Sequence, residues 1–233
     1  MKNLFSRHSG IPPSGTNIKN QERGITLVEL IVVIFIIAIF TTIAIADFPN
    51  IQRRYALSRA AYKLAQDFRK TEDFGLSGVA VGNSSITEGY GIYFDLGNKV
   101  DDTIPVNKQY TIYADTCPNP VGDAGPDYKY TTGNSTDPAC ISYGNHDYTV
   151  ETIDISKEDP GVYIKEIDDN FNTSGINSAS INFTPPSPKI TITTTTTPPV
   201  SNQKSISIVL GLDADNSVTR TISINMDGLI EVK

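Results

Sequence analysis

Three groups of residues in this 233-residue chain have types and spacings that could do chemistry. The first is Arg23-Gly24-Ile25-Thr26-Leu27-Val28-Glu29-Leu30, which opens an apolar run ending at Ala46. It combines a small residue suited to proteolysis with a carboxylate, Glu29, inside an otherwise uncharged segment. A carboxylate in hydrocarbon is costly and must be protonated, paired or moved to the interface, so it marks a functional position. The second group is the thiol pair Cys117 and Cys140. The third is Asp213, Asp215 and Asn216, whose oxygens could face a calcium ion. That group lacks the glycine and distal glutamate of an EF-hand loop, and a hairpin turn is the favoured reading. Asp123 and Asp127 in the cysteine loop are weighed the same way.

Catalysis finds little footing. The chain has two histidines. His8 precedes Gly24, and His146 stands in a polar turn between Asn145 and Asp147. No G-x-S-x-G, H-E-x-x-H, P-loop or C-x-x-C pattern is present. The sequence therefore predicts a protein that is not an enzyme and needs no cofactor.

The order of parts around Gly24 argues against an ordinary secretory signal, in which the small-residue cut site follows the apolar region. Here the glycine comes first, and Ala46 leads into Asp47, Phe48 and Pro49. Cleavage after Gly24 would leave the apolar segment on the mature chain. Ile25 to Ala46 has about the 20 residues needed to cross a hydrocarbon core of about 30 Å. Thr41 and Thr42 are compatible with insertion, because their hydroxyls can bond back to helix carbonyls.

Gly24 followed by Ile-Thr-Leu-Val-Glu-Leu and a long apolar helix resembles the processing site of type IV prepilins and type II secretion pseudopilins. The resemblance implies cleavage after Gly24 by a prepilin peptidase and methylation of the new N-terminus, Ile25. It also implies that Glu29 neutralises the free amine of a neighbouring subunit during filament assembly. Glu29 lies just over one helical turn from Ile25, so the sequence alone also allows pairing within one subunit. Ile follows the cut where Phe or Met is commoner in the family.

The elements behind this segment are helical first and extended afterwards. Pro49 is expected to kink or interrupt the helix, with Asn50 as N-cap of a second half and Gly75-Leu76-Ser77-Gly78 as its end. Ile51, Tyr55, Ala61, Leu64, Ala65 and Phe68 fall on one face. Beyond Gly78, nine segments read as strands: Tyr90 to Phe94, Gln109 to Ala114, Thr149 to Ile153, Val162 to Ile167, Ala179 to Phe183, Lys189 to Thr194, Lys204 to Leu212, Val218 to Asn225 and Leu229 to Val232. Their signature is Ile, Val and Thr in alternation, as in Ser205-Ile206-Ser207-Ile208. Leu212 to Ser217 reads as a hairpin loop, and Thr195 to Thr197 with Pro198 and Pro199 as a loop. The fold class is α+β: a long N-terminal α-helix, kinked near Pro49, packed on a C-terminal antiparallel β-domain. The expected division is 1–24 leader, 25–48 membrane and assembly helix, 49–78 second half of the stalk, and 79–233 β-rich domain.

Arg59-Ala60-Ala61, Leu64-Ala65, Asp67 and Arg69 on the helix, with the closing Gly228-x-Ile230-x-Val232, are similar to H-type minor pseudopilins and related minor pilins. That likeness implies two packed antiparallel sheets beside the stalk, a type IV pilin-like fold. It also implies other pilin subunits, a prepilin peptidase, an inner-membrane assembly platform and, before assembly, the lipid bilayer as partners. The expected location is the cytoplasmic membrane, single-pass with the N-terminus inside, and then an extracytoplasmic pilus or pseudopilus. In an exported domain the natural reading of Cys117 and Cys140 is a disulfide, with two free thiols as the alternative. Closing that loop would add about 3 kcal/mol on a chain-entropy account.

Charge narrows the alternatives. The whole chain carries −7, and removing residues 1–24, with a net +3, leaves −10. An acidic mature chain repels nucleic-acid phosphate, which argues against the other expected role for such a subunit, a minor pilin for DNA uptake or adhesion. A simple membrane-anchored surface domain is the third reading.

Overall fold

The protein is described from a computed structural model. It covers residues 24–78, 81, 89–97, 103–117, 127–131, 146–169, 176–185, 189–194 and 204–233. The chain divides into two compact units, Met1–Asp47 and Phe48–Lys233.

Among the described residues of the first unit there is only helix and its approach. Helix α1, Leu27–Ser77, has 51 residues and continues into the second unit. Every described residue up to Asp47 is exposed. Thr41 Oγ1 donates to the Ile37 carbonyl at 2.7 Å and Thr42 Oγ1 to that of Ala38 at 2.8 Å. These are the back-bonds expected of threonine in an apolar helix, and they leave no hydroxyl hydrogen unsatisfied.

In the second unit α1 meets the β-domain. Pro49 lies inside the helix, so the expected interruption and the Asn50 N-cap are not found. A proline removes one backbone bond and crowds the preceding turn, which long helical flanks on both sides can hold. The buried face is Leu57, Ala60, Ala61, Leu64, Ala65, Phe68, Thr71 and Gly75. Ile51 and Tyr55, expected on it, are 48% and 72% exposed. They lie on the apolar period but N-terminal to Leu57, where burial begins. The helix ends within the expected Gly75–Gly78 stretch: Gly75 is still helical and buried, and α1 stops at Ser77, before Gly78 with φ +56°. That left-handed conformation suits a residue without Cβ just past a helix.

All nine expected strands are present, in two antiparallel sheets. They are β1 Gly89–Asp95, β2 Gln109–Asp115, β3 Tyr148–Asp154, β4 Val162–Asp168, β5 Ser178–Thr184, β6 Lys189–Thr194, β7 Ser205–Leu212, β8 Asp215–Asn225 and β9 Ile230–Val232. The first sheet has the order β3-β2-β1-β5-β6 and the second β4-β7-β8-β9. A short helix α2, Ile155–Glu158, leads from β3 towards β4; Asp154 caps it by accepting the Ser156 amide. The turn between β7 and β8 is tighter than expected. Leu212 pairs with Asp215, so Asp215 to Ser217 belong to β8 rather than to a loop.

Alternation decides what each strand buries. Ile206, Ile208 and Leu210 of β7 and Ile222 and Ile224 of β8 join one core with Ile92, Phe94, Ile112, Ile181 and Phe183 of the first sheet. Helix α1 enters the same core through Leu57, Leu64 and Phe68. Phe68 packs on Phe94 with ring centroids 6.0 Å apart, and Phe74 on Tyr90 at 5.5 Å.

Polar contacts fix the helix at its margins. Asp159, 1% exposed, accepts from Arg59 Nε at 2.7 Å, and the same arginine reaches the Glu158 carbonyl at 2.6 Å. Lys63 pairs with Glu158 at 2.6 Å and Lys70 with Glu151 at 3.0 Å. Tyr110 donates to Asp67. Burial keeps the Tyr110 hydroxyl well above its ordinary pKa, and the Asp67 charge adds to that.

Helix and sheet come close at Gly75, where a Cβ would stand 2.6 Å from the Phe183 carbonyl oxygen of β5. Gly75→Ala would gain about 1 kcal/mol of helix propensity. Forcing a methyl into this contact costs about 1–3 kcal/mol. The expected net result is a loss of about 1 kcal/mol and a fall in Tm of about 2–4 °C by thermal denaturation. A Tm that rises would show that α1 does not approach β5 this closely.

Candidate functional site

The N-terminal segment is built around the start of α1. Gly24, Ile25 and Thr26 precede the helix, and all three are exposed. Thr26 caps it: its Oγ1 accepts the Glu29 amide at 3.2 Å and its carbonyl accepts the Leu30 amide at 3.1 Å. Thr26 and Glu29 have the Ser/Thr-x-x-Glu spacing of a capping box, here with one of its two bonds formed. The Gly24–Ile25 bond therefore lies in non-helical chain two residues before the cap. A backbone outside the helix is one that a peptidase can engage. Among the described residues no heavy atom lies within 4 Å of where a Gly24 Cβ would be.

Glu29 occupies the third position of the helix, in its first turn. Its side chain is exposed, and among the described residues its carboxylate has no hydrogen bond or ion pair. A carboxylate in the first turn faces the positive end of the helix dipole. Downstream, Leu27 to Ile45 present their apolar side chains outward; Phe35 is 66% exposed and Phe40 69%. Helix α1 is the one helix among the described residues long and apolar enough to cross a membrane.

Residues 19–45 match the family model described as the prokaryotic N-terminal methylation motif. The chain carries this motif. It covers Gly24, Ile25, Thr26 and Glu29 together with the apolar run, and it stops short of the β-domain. No curated protein and no solved structure matches the chain. The motif marks the N-terminus as a type IV pilin-like signal on a long apolar helix. Thr26 is the participant that sequence reasoning passed over, although the T-x-x-E spacing announces it.

The other candidate residues are dispersed. Asp213 pairs with Lys108 at 2.7 Å. Asp215 accepts the Ser217 amide and hydroxyl, and Asn216 Oδ1 accepts the Tyr163 hydroxyl at 2.9 Å. These oxygens thus bond within the β7–β8 hairpin and to its neighbours, with Asp215 and Asn216 in β8 itself. Cys117 is 1% exposed. Cys140 and Asp123 lie outside the described residues, as does the leader up to Arg23. His146 is exposed.

A second polar centre emerges on the face of the first sheet turned away from α1. Asp115, Asp127 and Asp147 bring carboxylate oxygens within 4.8 Å of one another, a donor set of the kind a hard cation uses. The protein's own donors already fill much of it. Asp147 accepts the amides of Thr116, Cys117 and Thr131 at 2.8, 2.9 and 2.7 Å. Asp127 accepts the Lys129 amide and the Thr131 hydroxyl. Asp115 Oδ2 accepts from Tyr128 N and from Asn182 Nδ2 at 2.9 Å. The cluster thereby ties segment 127–131 and the Cys117 backbone to β2. Two glycines of β1 make room for it. A Cβ on Gly89 would stand 2.5 Å from Asn182 Oδ1, and one on Gly91 2.5 Å from the Tyr113 ring. Tyr130 closes this face, with centroids 5.0 Å from Tyr93 and 5.1 Å from Tyr113.

Burial raises the Asp147 pKa from 3.8 to about 6 against the lowering effect of its amide donors, and the Asp127 charge adds to the rise. The folded state thus holds a proton that the unfolded chain releases near pH 4. Stability from this group is greatest below about pH 4 and is lost as pH rises through about 6, by about 3 kcal/mol at most. Denaturant titrations from pH 4 to pH 7 should show that decline in the wild type and a flatter profile in Asp147→Asn. An identical slope in both would remove Asp147 as the source.

Proposed function

We propose that the chain is a structural pilin-like subunit, cleaved after Gly24 by a prepilin peptidase and methylated at Ile25. The apolar part of α1 then anchors it in the cytoplasmic membrane and later packs against other subunits in a type II secretion pseudopilus or type IV pilus. The globular β-domain lies on the extracytoplasmic side. Among the subtypes, the closing strands and the Arg59–Arg69 pattern favour an H-type minor subunit.

The observation that carries this reading is the pairing of the methylation motif with a capped helix whose apolar residues the described chain leaves uncovered. Fifteen residues of Ile, Val, Leu and Phe between Ile25 and Ile45 facing water would be a severe liability. Membrane and then neighbouring helices supply the missing cover. Glu29, with no partner of its own among the described residues, is placed to receive the amine that cleavage creates at Ile25. The acidic mature chain gives a nucleic-acid role no support.

In an exported domain we further propose that Cys117 and Cys140 form a disulfide. Alkylation of the native, unreduced protein should then leave its intact mass unchanged. Two alkylated thiols would remove the bridge.

N-terminal sequencing of the protein from cells with an active prepilin peptidase should begin at Ile25. Retention of residues 1–24 would overturn the proposal. Glu29→Ala should be processed normally yet enter filaments at least tenfold less well, scored by sheared-filament immunoblot. Undiminished incorporation would remove Glu29 from assembly.

A further inference from the structure

A cleft on the second unit is lined by Asn50, Arg53, Arg54, Leu212, Ala214, Asp215 and Val218. Arg53 and Arg54 are exposed, and neither guanidinium has a hydrogen bond or a salt bridge among the described residues. The other arginine on this part of the helix, Arg59, is by contrast committed to Asp159. The two arginines follow Ala46, the end of the apolar run, by seven and eight positions, about 10–12 Å of helix. In a chain anchored by that run the arginine backbone stands just beyond a polar layer about 5–8 Å deep, from which the long side chains can reach back to the headgroups. Paired guanidiniums match phosphate oxygens in fork geometry. Asp215 adds one carboxylate to the same cleft. Its Oδ1 takes the Ser217 amide and hydroxyl, while its other oxygen accepts no hydrogen bond among the described residues. It lies beyond ion-pair distance of both arginines. Two cations and a separate anion, beside apolar Leu212 and Val218, are complementary to a phosphate that carries an amine.

We propose that this cleft binds the headgroup of an amine-bearing phospholipid, with Arg53 and Arg54 on the phosphate and Asp215 on the ammonium. The site rests on the membrane-anchored reading above. It would hold the globular unit against the outer headgroups before the subunit is extracted into a filament.

The test uses the full chain, extracted in mild detergent from vesicles of phosphatidylethanolamine and phosphatidylglycerol, with retained lipid read by native mass spectrometry. The wild type should keep phosphatidylethanolamine preferentially. Arg53→Gln with Arg54→Gln should retain at least tenfold less of it, and Asp215→Asn should reduce the preference over phosphatidylglycerol several-fold. Equal retention by the double variant would overturn the proposal. So would displacement of the lipid by millimolar inorganic phosphate, which would assign the arginines to a free anion. Resistance of each protein to alkaline extraction from the vesicles is read in parallel. Wild type released by alkali would sink the anchor itself. Firm anchoring with unchanged lipid retention in the double variant would sink the headgroup site alone.

Discussion

The β-domain depends on burying one face of α1 between Leu57 and Gly75. Leu57, Leu64 and Phe68 are each 1% exposed or less, and burying side chains of this size contributes about 1.5–3 kcal/mol apiece. Ala60, Ala61 and Ala65 stand between them and Gly75 two turns beyond, and their small size lets the sheet come close. The large residues fill and the small ones admit, so the face tolerates change in neither direction. Surface ion pairs such as Lys70–Glu151 add little to this. Arg59 is different because its partner Asp159 is buried. Its chief effect is to prevent the cost of an unpaired carboxylate, which is larger than the net worth of the pair.

The two sheets share that core but differ in their second faces. In β7 and β8 the outward positions are Ser205, Ser207, Thr221 and Ser223, and water can satisfy them. In the first sheet the central strands β1, β2 and β5 are buried on both sides. Their second face carries Tyr113, Asp115 and Asn182, so protein groups must do what water does elsewhere. That requirement accounts for the amides gathered on Asp147 and for the rings of Tyr93 and Tyr130 over the sheet. It also accounts for the two glycines: with any side chain at 89 or 91, Asn182 could not reach Asp115 nor Tyr113 cross β1.

Local patterns made much of this legible in the sequence. The strands follow from Ile and Thr alternation, which records one buried face whatever the partner. The methylation segment is contiguous, so no tertiary information is needed to find it. What the sequence hid is non-local. Ile51 and Tyr55 obey the same period as Leu64 and Phe68, and only the extent of the sheets decides which of them is covered. The assignment of β4 to the second sheet, between two strands of the first, has no local signature. Of the Asp115–Asp127–Asp147 knot the sequence offered Asp127 alone, because its partners come from β2 and from beside β3 and meet it only in the fold. Gly89 and Gly91, two glycines within one strand, were the available sign of a close crossing.

In the proposed processing, cleavage after Gly24 and the position of Glu29 are linked by the energetics of one helix end. A carboxylate near the middle of a spanning helix costs about 2.5–3.5 kcal/mol on insertion scales. Placement in the first turn, against the helix dipole, returns about 0.3–1 kcal/mol. Thr26 Oγ1 engages the Glu29 amide, but the reciprocal bond from the Thr26 amide to the Glu29 carboxylate is not formed. The dipole alone therefore leaves most of the cost standing if Glu29 enters hydrocarbon. In the uncleaved chain Ile25 carries a neutral peptide N–H. Cutting after Gly24 turns that nitrogen into an amine at the same helix end, one turn from Glu29 in its own chain and within the reach of a neighbour's glutamate in a bundle. On this account cleavage removes Arg23, the nearest cation of the uncut chain, and puts the countercharge at Ile25 itself, nearer to the carboxylate that it makes tolerable at depth.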